Sequence, residues 1–184
     1  LPSEDIFVHA FSAADGGECA VIYADGITDK ANLGELVLRP LSETAAPRSA
    51  DEAQKILCFP ESRAAEDVPS ACDEILAGNP LLLIDGAAGG VILGTKQVAA
   101  RAVTEPQTSI TVKGPREGFI EEIKVNMGLI RKRLPSSALR FTTLRVGRKS
   151  RTAVCVAYLD GIADEKVVRA IEERIRAVDI DGVP

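Results

Sequence analysis

The chain has 184 residues, 46% of them hydrophobic, 4% aromatic and none Trp, so Leu, Ile, Val and Ala must fill its core. Its net charge of −5 hides an asymmetry: residues 1–104 carry 7 Lys+Arg against 16 Asp+Glu (net −9), and residues 105–184 carry 15 against 11 (net +4). Apolar runs such as Leu81 to Ile84 are far short of the ~20 residues a membrane span needs, and a single His with four scattered Cys argues against a structural zinc site.

In chain order, Ile6 to Phe11 and Cys19 to Ala24 read as strands joined at Asp15-Gly16-Gly17, a hairpin. Asp25-Gly26-Ile27-Thr28-Asp29 follows, then a short helix with Leu33, Leu36 and Val37 inward, capped by Thr28 or Asp29. Pro40 to Arg48, rich in Pro, Ser, Thr and Ala, reads as a loop. Ala50 to Leu57 and Pro69 to Ala77 are predicted helices, the second stopped by Gly78. Leu81 to Ile84 and Val91 to Leu93 are buried strands. Thr104 to Thr108 reads as a junction between an acidic α/β subdomain (1–104) and a basic one (105–184), each a mixed sheet with flanking helices, α/β (α+β) in class.

The most regular helical pattern runs from Pro115 to Leu134, where Phe119, Ile120, Ile123, Met127, Ile130 and Leu134 recur three and four apart. Glu121, Glu122, Lys124, Lys132 and Arg133 are then left to water, with acids near the start and bases near the end, as the macrodipole favours. Phe141 to Val146 and Thr152 to Tyr158 form a second predicted hairpin, followed by a helix with Val167, Val168, Ile171 and Ile175 on one face. Tyr23-x-Asp25-Gly26-Ile27-x-Asp29 returns as Tyr158-x-Asp160-Gly161-Ile162-x-Asp164, so strand, strand, Asp-Gly turn and helix form an internal repeat. Two copies are too few for a solenoid and fit two α/β units. The Leu1 start and the stop after Asp181-Gly182-Val183 read as a soluble piece of a longer protein, with no signal peptide.

Residues able to carry chemistry are few. Asp25, Asp85 and Asp160 each follow a strand and precede Gly; they could hold a metal or act as bases, but Asp-Gly is foremost a turn and cap pair. Gly86, Gly89, Gly90 and Gly94 match neither phosphate-binding glycine pattern and read as a hairpin turn. His9 has no serine or cysteine motif beside it. Cys19, Cys58, Cys72 and Cys155 contain no CxxC pair and read as reduced thiols in a reducing compartment. Arg131-Lys132-Arg133 with Arg140, Arg145, Arg148, Lys149 and Arg151 could face phosphate, anionic lipid or an acidic partner, or be a solvated face; the aromatics that nucleic acid calls for are missing. Arg116 and Glu117, beside two glycines, could fork onto a partner's carboxylate or carbonyl, or bridge to each other.

Lys113-Gly114-Pro115-Arg116-Glu117-Gly118-Phe119, then Asn126, then Leu129-Ile130-Arg131-Lys132-Arg133, resembles a signature of the spore germinant receptor A-subunit family, the GerA type. Leu81-Leu82-Leu83-Ile84-Asp85-Gly86 and Glu105-Pro106 upstream, and Val146 to Thr152, Tyr158 to Ala163 and Asp179 to Val183 downstream, continue the likeness. A related sporulation membrane protein of the same superfamily usually has Ala-Arg-Asp where this chain has Pro115-Arg116-Glu117. The resemblance implies a soluble N-terminal region of two α/β subdomains with a fold like that of solute-binding proteins, ahead of a membrane-spanning bundle. It implies a place in the spore inner membrane with B- and C-type subunits, this region on the cytoplasmic (core) side, and the basic half nearest the inner leaflet.

The expectation is therefore a regulatory and assembly domain of a germinant receptor A subunit, not an enzyme, with no cofactor, no metal and no nucleic acid. Gly114, Pro115, Arg116, Glu117, Gly118, Phe119, Asn126, Arg131 and Arg133 would form a joint between subdomains or subunits. The alternatives are a small-solute module with its ligand between the halves, Asp25, Asp85 or Asp160 being ligand or turn residues, and the related sporulation protein.

Overall fold

The computed structural model describes residues 3–57, 59, 61–95 and 118–182. β1 (Ile6–Ser12) and β2 (Glu18–Ala24) pair antiparallel from Ile6 opposite Ala24 to Ser12 opposite Glu18. Their turn needs Gly16 at φ +84°, a conformation that costs glycine little. β4 (Leu81–Ile84) and β5 (Gly90–Leu93) form a hairpin through the glycine-rich turn read at Gly86 to Gly90, and β4 lies antiparallel on β2 with Val21 opposite Leu82. β3 (Ser62–Ala64) completes the sheet order β1-β2-β4-β5-β3. No local pattern marks Ser-Arg-Ala as a strand; it forms because Ser62 to Ala64 meet the open edge of β5.

One face of this sheet is covered by the chain from Lys30 to Leu57. α1 (Lys30–Leu33), a π-helical turn (Gly34–Leu38) and α2 (Arg39–Glu43) run on from one another, and α3 (Ala50–Leu57) follows. Asp29 caps α1, accepting from the Ala31 and Asn32 N–H groups at 3.0 Å each. The loop expected from Pro40 is thus helical as far as Glu43: the wider turn before Pro40 makes room for a ring that would clash with a carbonyl in an ordinary helix. The same turn sets the buried row as Leu33, Val37 and Leu41 and leaves Leu36 exposed, contrary to its predicted inward position. These residues, with Ala53 and Leu57, pack on Val21, Leu82, Val91 and Leu93. α4 (Val68–Leu76), capped by Asp67 and ended by Gly78 at φ +99°, sets Ala71 and Ile75 against Ala24, Leu81 and Ile92 on the other face.

The second hairpin, β6 (Leu139–Val146) and β7 (Thr152–Leu159), pairs antiparallel from Leu139 opposite Leu159 to Val146 opposite Thr152 and forms its own two-stranded sheet. α6 (Glu165–Arg176) follows, capped by Asp164. The repeat is structural as well as verbal: Gly26 and Gly161 both take positive φ, +85° and +79°, after the second strand of their hairpins. The α/β (α+β) class holds, and all described strand pairs are antiparallel where mixed sheets were expected. The junction at 104/105 lies outside the described residues.

The long helix is where expectation and structure part. α5 spans Ile123–Arg133, 11 residues and about 16 Å, half the length the periodicity suggested. Glu122, with φ −85° and ψ 107°, is its N-cap. Ahead of the cap, the Asn126 amide donates to the Ile120 carbonyl at 2.6 Å and accepts from the Ile120 N–H at 2.8 Å. That side chain satisfies backbone groups that would otherwise look to a helix, so the chain enters α5 as an irregular segment. Phe119 and Leu134 are consequently exposed; Ile123, Met127 and Ile130 alone keep the stripe, against Leu139 and Phe141.

Candidate functional site

The two sheets meet where α5 lies against the ends of the first hairpin, and Arg131 is the centre of that joint. It sits four residues after Met127, on the apolar stripe itself, and its side chain is 1% exposed. Its Nε donates to Asp5 Oδ2 at 2.7 Å and its Nη2 to Asp5 Oδ1 at 2.9 Å, a two-pronged pairing; the Asp5 side chain is also 1% exposed. Nη1 donates to the Ser136 carbonyl at 2.7 Å and Nη2 to the Leu139 carbonyl at 3.1 Å. Ser3 donates its hydroxyl to Asp5 and accepts from the Phe141 N–H at 3.2 Å. The guanidinium also lies 5.3 Å from the Phe141 ring centroid, a cation–π contact. Burying both charges is tolerable because nearly every lone pair and proton has a partner.

A second charged contact lies alongside. Asp25 Oδ1 accepts from Lys30 at 2.8 Å and Oδ2 from Lys124, on α5, at 2.9 Å. Burial pushes the Asp25 carboxyl up, but the hydrogen bonds and charges of Lys30 and Lys124 outweigh it, leaving its pKa below the ordinary 3.8. The hydrogen bond from Lys124 to Asp25, with the charge behind it, raises the lysine above its ordinary 10.5. Between these pairs the backbones touch: a Cβ on Gly26 would stand 2.5 Å from the Lys124 carbonyl oxygen. Glu4 ties the sheets once more, its N–H donating to the Phe141 carbonyl at 3.3 Å and its carboxylate accepting from Thr143 N–H at 2.6 Å. A cavity of about 150 Å³ opens at this joint, lined by Glu4, Asp5, Asp25, Lys124, Thr143 and Arg145 among others.

The predicted site residues therefore divide. Arg131 takes part in the joint, as its buried anchor and not as the solvated basic residue its neighbours suggested, whereas Asn126 bonds Ile120 at the entry to α5. Gly118 is half-buried, Phe119 exposed, and Arg133 exposed in the last turn of α5. Gly114, Pro115, Arg116 and Glu117 lie outside the described residues. Asp25 is brought to the joint; Asp85, exposed in its turn, follows the end of β4 that pairs with Cys19, at the far end of β2. Asp160 meets Arg140 at 3.1 Å in the second repeat. Arg148 and Lys149, read as part of a basic surface, pair instead with Asp179 and Asp181. His9 is exposed on β1, its ring stacked beside Phe11 with centroids 6.1 Å apart. Cys19, Cys72 and Cys155 are free thiols, burial raising the pKa of the first and last. Among the described residues no group of His, Cys, Asp and Glu could hold a metal ion, and no helix is long and apolar enough to cross a membrane.

Sequence reasoning missed Asp5, Ser3, Lys124 and Gly128. One signal was available: an arginine four residues after Met127 falls on the apolar stripe, and a charge there needs a buried partner.

A family model described as Bacillus/Clostridium GerA spore germination protein matches residues 2–184. Spore germination protein B1 of Bacillus subtilis (strain 168) is 30% identical over 99% of this chain and 38% of its own length. The uncharacterized membrane protein YfkQ of the same organism is 32% identical over 97% of this chain and 36% of its own. The chain thus spans somewhat over a third of the length of these relatives. The crystal structure of the N-terminal domain of the A subunit of the Bacillus megaterium spore germinant receptor GerK3 shares its fold, with a TM-score of 0.72 at 22% identity, over 96% of this chain and 66% of that one.

Proposed function

Because this chain belongs to the GerA family of spore germination proteins, we propose that it is the N-terminal coupling and assembly domain of a germinant receptor A subunit, and not an enzyme. In this reading the domain sits at the spore inner membrane, on the core side, beside B- and C-type subunits, and forms two units divided near residue 104. The observation that carries the mechanical part is the buried Arg131–Asp5 pair, which links helix α5 and the second sheet to the first hairpin. A force applied to either unit passes through that joint, because removing either charge strands the other in a dry site. Spores carrying Arg131→Ala should assemble less receptor and germinate slowly in nutrients; normal receptor level and normal germination would end the proposal.

A second reading is favoured by the cavity at the joint, whose walls carry Glu4 and Arg145 beside the Asp25–Lys124 pair, charges of both signs suited to a small zwitterion. Calorimetry against amino acids and sugars tests it, since a true ligand must raise the melting temperature with concentration.

A further inference from the structure

The turn of the second hairpin is held from outside the hairpin. The β6–β7 ladder ends where Val146 faces Thr152, and the amides beyond it find acceptors in the chain after α6. The Arg148 N–H donates to the Ile180 carbonyl at 2.9 Å, and the Lys149 and Ser150 N–H groups to the Asp181 carbonyl at 2.9 and 3.2 Å. Ion pairs lie over these bonds: Arg148 reaches Asp179 at 3.4 Å and Asp181 at 3.1 Å, and Lys149 reaches Asp181 at 3.4 Å. Arg151 ends the turn at φ +47°, the one positive φ outside glycine among the described residues. Its N–H donates to the Gly147 carbonyl at 3.2 Å, and its own carbonyl accepts from Arg145 Nη1 at 3.2 Å. Arg145 in turn lines the cavity at the joint.

Strained backbone persists only where its surroundings impose it. Around Arg151 the surroundings are the bonded segment 179–182 on one side and Arg145 on the other. We infer that residues 179–182 form a salt-sensitive strap over this turn, and that its docking positions Arg145 in the wall of the joint cavity. Docked, the strap fixes Arg148 to Ser150, and with them the Arg151 carbonyl that Arg145 grips. Released, the turn relaxes toward ordinary backbone angles and Arg145 loses its acceptor. The four paired side chains are each more than half exposed, so dissolved ions screen their attraction and favour release. The coupling is reciprocal: whatever withdraws Arg145 from Arg151 loosens the strap. The inference stands on these contacts and is independent of the role in germination and of what fills the cavity.

Amide hydrogen exchange of the 15N-labelled 184-residue chain tests it. Salt is raised from about 0.01 M to about 1 M, where the Debye length falls from about 30 Å to about 3 Å. Exchange at Arg148 and Lys149 should quicken about fivefold relative to the β6–β7 ladder, the scale of a few exposed ion pairs. Asp181→Asn keeps both strap carbonyls but removes the pairs to Arg148 and Lys149 at that residue. At low salt it should quicken the same two amides to a similar degree, leave little salt dependence, and shift the Arg145 Nε–H signal. Arg145→Met takes the grip off the Arg151 carbonyl and should loosen the strap amides as well. Exchange indifferent to salt, or unchanged in Asp181→Asn, overturns the strap. A strap that loosens while the Arg145 signal stays put, or that ignores Arg145→Met, overturns its link to the cavity.

Discussion

Gly128 of α5 lies against Gly26 of the first Asp-Gly turn so closely that a Cβ on Gly128 would stand 2.4 Å from the Gly26 carbonyl oxygen and 2.8 Å from its carbonyl carbon. Both neighbours are backbone, so neither can swing aside. The contact sets how near the two sheets can come, and the charged pairs on either side depend on it.

Gly128→Ala puts two effects in opposition. Helix propensity alone favours alanine by about 1 kcal/mol. Overpacking against fixed backbone costs about 1–3 kcal/mol, and here the overlap is severe enough to win. Urea unfolding should show a net loss of stability; a gain would mean that the sheets are not in this close contact.

Arg131→Met leaves Asp5 charged, buried and without its main partner, so the loss should be about 3–5 kcal/mol. Adding Asp5→Leu to it removes the stranded charge and should recover most of that loss. Two single variants whose costs simply add in the double would show that the residues do not interact.

The Asp25–Lys124 contact sets a pH window for the joint. Asp25 titrates below its ordinary 3.8 when folded, so its contribution is complete above that value and is lost as pH falls through the lower folded one. Lys124 titrates above its ordinary 10.5, so its contribution is complete below 10.5 and is lost as pH rises through the higher folded value. Thermal melts should show a plateau between these limits and a loss at each end. Asp25→Asn should remove the acid-side loss assigned to this carboxylate, and an unchanged pH profile would separate Asp25 from the joint's stability.

Asn126→Ala deletes both bonds to Ile120, each worth about 0.5–1.5 kcal/mol. Amide exchange at Ile120 should accelerate well beyond that of the β1–β2 hairpin. Protection unchanged at Ile120 would mean that the side chain does not hold the entry to α5.

What could be read in the sequence is what neighbours within a few residues decide. The two hairpins, the Asp-Gly turns of the repeat and the Asp29 cap all close short hydrogen-bonded loops. The family signature was readable for a different reason, since it lies in consecutive residues. The length of α5 was not: the apolar period continues through Phe119, but Asn126 binds the backbone at Ile120 and ends the helix short of it.

The joint lay further still from local rules. Asp5 and Arg131 are 126 residues apart and Asp25 and Lys124 are 99 apart; the place of Arg131 on the apolar stripe hints at a buried partner, but no local pattern says which residue that is. Gly128 looks like a weak point in a helix until Gly26 arrives against it. Turns and caps are fixed by bonds the chain makes to itself nearby. Which charges are dried out and which glycines must stay bare is fixed only when the two sheets and α5 meet, and that depends on the whole tertiary fold.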